Sequence, residues 1–259
     1  MKLRILIALV LFIVPRLALA VDLVSDETIK KQKELTKITK LKNGIPVILR
    51  SVPGSDILHL EVSWNYGLKD LELGKKSLNQ WLWTVLPMAG KAFPKSTVNE
   101  TMEKYGIEIE CRGGIEVSSC SLSTLSEFWD QSLPMFADLI NQPALTDEDV
   151  ALTKDRVIAA LKNTESDPNT FINEIVNSVY YPKDHPYRLS AHDAIVELGK
   201  LKKSDLVSTH QQFLNAKFMS IVVVSSLPED KLISNLEQSF GAIPASETKL
   251  VKTKDPDFV

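Results

Sequence analysis

The chain has 259 residues, of which 24% are charged and 44% hydrophobic, and its formal net charge is −3. An acidic chain is a poor partner for nucleic acid or an anionic membrane surface, because both attract basic patches. The length is sufficient for one substantial hydrophobic core or two small ones.

The first 20 residues have the pattern of a secretory signal peptide. Lys2 and Arg4 give a positive start, an apolar run covers Ile5–Val14, and Ala18-Leu19-Ala20 matches an A-x-A cleavage site. The run is shorter than the roughly 20 residues that span a bilayer, which favours cleavage over an uncleaved anchor. Cleavage near Ala20 predicts a periplasmic or secreted protein. The segment holds three basic and no acidic residues, so its removal changes the net charge from −3 to −6.

Sequence patterns assign strands and helices along the rest of the chain. Asn43-Gly44 is a strong hairpin signal, and period-2 alternation marks the strand that follows this hairpin. The predicted strands before residue 100 are Leu35–Leu41, Ile45–Ser51 and Ile57–Asn65. Apolar residues at helical spacing indicate the helices. The predicted helices are Ser77–Met88, Thr97–Tyr105, Ser126–Asn141, Thr146–Lys162, Thr170–Tyr180, Lys203–Leu214 and Pro228–Phe240.

The two cysteines fall in a predicted hairpin over Gly106–Ser123. A turn at Gly113-Gly114 would place Cys111 opposite Glu116, with Cys120 four strand positions, or about 13 Å, away. A disulfide needs Cα atoms within about 7 Å of each other. An oxidising compartment would permit a bridge, but this register favours two packing cysteines.

The order of elements predicts the fold class. A near-continuous apolar run over Phe218–Val224 indicates a buried strand. Strands in hairpins and helices in clusters predict an α+β domain, with a mainly antiparallel sheet and helices packed on one face. The predicted organisation is a signal peptide over 1–20, an extended lead-in over 21–34, one domain over 35–244 and a linker or tail over 245–259.

This order and its local motifs together resemble the pitrilysin/insulinase family of metallopeptidases, the inverzincins. The opening hairpin Leu41–Val47 is similar to the family's L-x-N-G-x-x-V, and Met88–Pro94 is similar to the segment after its metal-binding helix. The other matching segments are Leu60–Gly67, Gln142–Leu145, Asp167-Pro168, His185–Tyr187, Ser220–Ser225 and Phe240–Pro244. The resemblance covers about one family domain and implies the family's α+β fold.

Active members of the family carry H-x-x-E-H on the helix that corresponds to Ser77–Met88. Its two histidines bind zinc, and its glutamate is the general base. Counted back from Gly90, these positions are Trp81, Thr84 and Val85, which offer no ligand and no base. The resemblance therefore implies a degenerate site with no catalytic residue, no metal ligand and no cofactor, and it leaves the substrate-binding residues unknown.

The family's third zinc ligand is a glutamate on a later helix. Aligned on Asp167-Pro168, its position falls near Ala160 or Leu161, and Asp155 and Glu165 lie in the same window. A single carboxylate would not hold zinc without the two histidines.

Histidine and tryptophan are the remaining candidate site residues. None of the four histidines, at 59, 185, 192 and 210, belongs to H-x-x-E-H or H-E-x-x-H. His185 and His192 could be a metal pair, but a loop motif and a helix start explain them more simply. Trp64, Trp81, Trp83 and Trp129 are expected in the core or in a partner-facing patch rather than in a ligand-stacking set. Trp81 and Trp83 lie on different faces of one helix, which would allow one to be buried and the other exposed.

The resemblance also implies a function. Family enzymes have two halves of two domains each, which close a chamber around an unfolded peptide, and in several lineages one half is catalytically silent. The chain is expected to be such a non-catalytic subunit, paired with a zinc-bearing homologue or with itself. The alternatives are an active zinc metalloendopeptidase, a stand-alone module that binds extended peptides at a sheet edge, and a truncated gene product.

Overall fold

The computed structural model describes residue 30 and residues 32–165, 167–182 and 185–247. The described residues fall into two compact units, and the second begins at residue 38. The predicted signal peptide, most of the lead-in and the tail beyond residue 247 lie outside the described residues and stay predictions. Among the described helices, none combines the length and the apolar character needed to cross a membrane.

Six strands form one mixed sheet. They are β1 Thr36–Lys40, β2 Pro46–Ser51, β3 Ile57–Trp64, β4 Glu108–Arg112, β5 Ser118–Leu125 and β6 Met219–Ser225. The strand order is β1-β2-β6-β3-β5-β4. β6 pairs parallel to β2 and antiparallel to β3, while β5 pairs antiparallel to both β3 and β4. The mainly antiparallel α+β sheet predicted from the sequence is thereby confirmed.

The sheet buries one face and leaves the other partly exposed. Along β3, β5 and β6 every second side chain is buried, because successive side chains of a strand point to opposite faces. These side chains share one hydrophobic core with helix residues such as Leu82, Phe136 and Phe213. The helices therefore pack on the buried face, as predicted. The other face carries polar, partly exposed side chains such as His59 and Glu61.

The helices of the second unit occupy most of the predicted segments. They are α1 Leu78–Val85, α2 Lys95–Tyr105, α3 Trp129–Asn141, α4 Asp147–Glu165, α5 Pro168–Tyr180, α6 Ala191–Lys200, α7 Lys203–Phe213 and α8 Glu229–Phe240. α1 is shorter than predicted and continues as a 3₁₀ turn over Leu86–Met88, because Pro87 lacks the amide that an α-helix requires. The sequence analysis placed a helix start at His192 but assigned no helix range there; α6 begins where the Ser190 hydroxyl accepts the Asp193 amide.

The prediction that the cysteines are unbridged packing residues is wrong. Cys111 on β4 lies directly opposite Cys120 on β5, their Cα atoms are 4.1 Å apart, and the two form a disulfide. The connection between the strands is the five-residue loop 113–117 rather than a two-residue turn at Gly113-Gly114. The longer loop shifts the register and brings the two cysteines into one cross-strand pair.

Contacts with other segments hold this longer loop in place. The amides of Leu68 and Lys69 donate to the carbonyls of Gly114 and Ile115, at 3.1 and 2.9 Å. A Cβ atom at Gly67 would lie 2.5 Å from the Ile115 carbonyl oxygen, so only glycine permits this close approach. Long-range hydrogen bonds therefore determine the register of the hairpin, and the local sequence does not show them.

The disulfide should contribute measurably to stability, because it closes a loop between positions nine residues apart. Replacing both cysteines, Cys111→Ser with Cys120→Ala, should lower the free energy of unfolding by about 2.5 kcal/mol. Urea unfolding of oxidised and reduced wild type, with the double variant as control, measures this. The reduced wild type should approach the variant, and the variant should not respond to reductant. Equal stability of the oxidised and reduced wild type would contradict the prediction.

Candidate functional site

Trp81 is at the first predicted zinc-motif position, and its side chain is 1% exposed. Its indole N–H donates to the backbone carbonyl of Val150, at 3.1 Å, near the start of α4. The Lys154 ammonium lies 4.9 Å from the centre of the indole ring, within the range of a cation–π contact. The side chain therefore joins α1 to α4 as a hydrogen-bond donor, and an indole offers no lone pair for a metal.

The other two motif positions are equally unsuited to zinc chemistry. The Thr84 hydroxyl donates to the Gln80 carbonyl of the preceding helical turn, at 2.8 Å. Val85 is 2% exposed and belongs to the hydrophobic core. A hydroxyl bonded within its own helix and an aliphatic side chain supply neither a ligand nor a general base.

A buried carboxylate fixes the start of α4 where it meets Trp81. Asp149 accepts hydrogen bonds from the Lys95 ammonium at 2.6 Å and from the Thr146 hydroxyl at 2.7 Å. Burial alone would raise the pKa of Asp149, but these two hydrogen bonds and the charge of Lys95 outweigh it and lower the pKa. The ionised carboxylate thus joins Lys95 and Thr146 to the first turn of α4, and the Thr146 hydroxyl caps this helix by accepting the Asp149 amide at 3.1 Å.

The third-ligand window on α4 also lacks a metal-binding arrangement. Ala160 and Asp155 are exposed, and Leu161 packs against the hydrophobic core. The side chain of Glu165 lies outside the described residues. In the ranges that the structure covers, no three side chains from His, Cys, Asp and Glu come together as a metal site would require.

The four histidines have four different environments. His59 bonds the Ser123 hydroxyl on the open face of the sheet, at 2.9 Å. His185 caps a 3₁₀ turn, where its Nδ1 accepts the Tyr187 amide, and His192 is exposed on α6. His210 is buried on α7 and donates from Nε2 to the Ile140 carbonyl at 2.8 Å. The loop and helix-start interpretation of His185 and His192 agrees with these positions.

All four tryptophans are core residues, with exposures of at most 2%. Trp83 contacts Trp64 and Phe213, with ring centroids 5.0 and 4.8 Å apart, on the sheet side of α1. The expectation that Trp81 or Trp83 could be exposed is therefore wrong. The sheet covers one side of α1 and α4 covers the other, so tryptophans on different faces are both buried.

A cavity of about 390 Å³ lies beside the N-terminal turn of α1. Helices α1, α4, α5 and α6 and the loop between β4 and β5 form its walls. Amides and hydroxyls supply much of its polar lining: Asn79, Gln80, Thr164, Thr170, Asn173 and Asn177. The sequence analysis did not identify this cavity, because its walls come from segments that are far apart in the chain and one of them, α6, was assigned no helix range.

The sequence and the fold of this domain were compared with those of known proteins. No family model matches the chain. An uncharacterized zinc protease of Rickettsia felis is 22% identical over 215 residues, which are 83% of this chain and 52% of that protein. The peptidase M16 inactive domain from Pseudomonas fluorescens has the same fold, with a TM-score of 0.75 and 15% identity over 85% of this chain and 54% of that one. Pitrilysin matches with a TM-score of 0.74 and 19% identity, over 85% of this chain and 24% of that one.

The relatives and the shared fold support the resemblance of this chain to the pitrilysin/insulinase family. The resemblance and the fold class predicted from the sequence are both confirmed. The chain spans about half the length of the Rickettsia relative. Assignment of Trp81, Thr84 and Val85 to the family's zinc-motif positions stays a prediction.

The buried side chain of His210 should make the stability of the folded domain depend on pH. Burial lowers the pKa of His210 below 6.5, and the nearby charge of Lys91 lowers it further, although the hydrogen bond to Ile140 acts in the opposite direction. The folded chain therefore favours the neutral ring. This contribution is fully present above pH 6.5 and is lost as the pH falls from 6.5 towards the folded pKa, because the unfolded chain then binds more protons.

The replacement His210→Gln should flatten the pH dependence of unfolding between pH 7.5 and pH 5. One proton changes the free energy of unfolding by at most about 1.4 kcal/mol per pH unit. Urea unfolding at several pH values measures the slope, with the exposed His192→Gln as the matched control. The control should keep the wild-type slope, and an unchanged slope in His210→Gln would contradict the assignment.

Proposed function

We propose that this chain is a non-catalytic member of the pitrilysin/insulinase family, which completes a peptide-binding chamber together with a zinc-bearing homologue. The observation that carries this proposal is the packing of α1 against α4 through Trp81. Where an active member would place a zinc-binding imidazole, this chain has an indole that is buried and bonded to a backbone carbonyl. The site is thus part of the hydrophobic core.

The chemistry of peptide hydrolysis supports this interpretation. Zinc lowers the pKa of its bound water from 15.7 to about 7, which produces the nucleophile. A positioned general base contributes a further factor of about 10²–10⁴ in rate. At the predicted motif positions Thr84 and Val85 supply neither function, and a metal between α1 and α4 would first have to displace Trp81 from its buried position.

The proposed location is outside the cytoplasm, most simply the periplasm, after cleavage near Ala20. The disulfide between Cys111 and Cys120 supports this location, because structural disulfides persist in oxidising compartments and are rare in the cytosol. The cavity beside α1, with its amides and hydroxyls, offers hydrogen bonds to a peptide.

A second candidate function rests on β4. This strand is the last in the sheet order and pairs with β5 on one side. An extended peptide could add to its other side by backbone hydrogen bonding. The chain would then bind peptides by itself, without hydrolysis and without a homologous partner.

Recovery of the tagged chain, residues 21–259, from the periplasm of its own host tests the proposal. We expect a stoichiometric companion that carries H-x-x-E-H, and zinc-dependent peptide hydrolysis by the pair. The isolated chain, assayed with zinc and with a chelator, should cleave no peptide under either condition. The companion alone is the matched control for activity in the pair.

Two results would overturn the proposal. Zinc-dependent hydrolysis by the isolated chain would make it an active metallopeptidase. Recovery without a homologous companion, combined with peptide binding by the chain alone, would favour the strand-addition module.

A further inference from the structure

Helix α5 exposes a continuous apolar stripe. Its members lie at helical positions i, i+1, i+4, i+5, i+8 and i+9, which share one face of an α-helix. Their exposures range from 45% to 77%: Phe171, Ile172, Ile175, Val176, Val179 and Tyr180. A stripe of this size on a surface helix marks an interaction site more often than a solvent-facing surface.

The opposite side of α5 faces the rest of the domain. Thr170, Asn173 and Asn177 line the cavity beside α1. The carboxylate of Glu174, the single charged residue of α5, accepts the Ala191 amide at 2.7 Å. The outer stripe therefore contains no charged side chain, and two such stripes can meet without bringing like charges together.

The order of aromatic and aliphatic residues in the stripe is the same from both ends of α5. From either end of α5 the order is one aromatic residue, four aliphatic residues and one aromatic residue. In an antiparallel pair of α5 helices Phe171 faces Tyr180, Ile172 faces Val179, and Ile175 faces Val176. A twofold interface places one surface against an identical copy of itself, and this pattern satisfies that condition with aromatic against aromatic and aliphatic against aliphatic.

We propose that the apolar stripe of α5 binds a second copy of this chain, as an antiparallel helix pair about a twofold axis between Ile175 and Val176. At about 100 Å² of exposed surface per side chain the stripe buries on the order of 600 Å² per chain, or about 1,200 Å² in total, the lower limit for a stable interface. Antiparallel packing also brings opposite ends of the two helix dipoles together. This self-association does not depend on the proposed function.

Sedimentation equilibrium of the chain 21–259 tests the interface. Wild type should be a dimer at about 100 μM and dissociate on dilution. Val179→Glu places a charge at the most exposed position of the stripe and should raise the dissociation constant at least tenfold, or about 1.4 kcal/mol. Val196→Glu, the same change at an exposed position of α6 outside the stripe, is the matched control and should not alter it. Circular dichroism confirms that each variant is folded.

A complementation experiment tests the antiparallel geometry. Ile172→Lys and Val179→Glu should each be monomeric, and an equal mixture should form a heterodimer, because the two positions face each other across the twofold axis. A monomeric wild type at about 100 μM, as expected if another segment of the same chain covers the stripe, would overturn the proposal. A dimer that survives Val179→Glu, or a mixture that stays monomeric, would also overturn it.

Discussion

Packing of α1 between the sheet and α4 is the constraint on which this domain depends. On one side Trp83 contacts Trp64 of β3 and Phe213 of α7. On the other side Trp81 donates its indole N–H to the Val150 carbonyl of α4. A helix with large aromatic side chains on both faces thus joins the sheet on one side to α4 on the other.

This packing occupies the predicted zinc-motif positions of α1. Hydrophobic burial and the hydrogen bond from the Trp81 indole to the Val150 carbonyl hold α1 against α4. An imidazole at position 81 would remove the bond to Val150 and leave space where the indole lies. A zinc site at this position would therefore require several coordinated changes in the core.

The strands and most helices could be predicted from the sequence, because period-2 alternation and helical spacing are local signals. The cysteine pair could not, since the register of β4 and β5 depends on hydrogen bonds from Leu68 and Lys69 to the hairpin loop. Burial of both Trp81 and Trp83 was missed for a related reason, because helical spacing does not reveal that α1 is covered on two sides. Tertiary contacts therefore determine both the pairing of the cysteines and the burial of the two tryptophans. The absence of H-x-x-E-H, in contrast, was visible directly in the sequence.

The central claim is that side chains of the core fill the space between α1 and α4. Anomalous diffraction at the zinc absorption edge, from crystals of the chain 21–259 grown with excess zinc, tests this claim most directly. The predicted result is no anomalous peak between the two helices and a Trp81 indole bonded to the Val150 carbonyl. A zinc peak beside Trp81, Thr84 and Val85, with the indole displaced from its position against α4, would contradict the account.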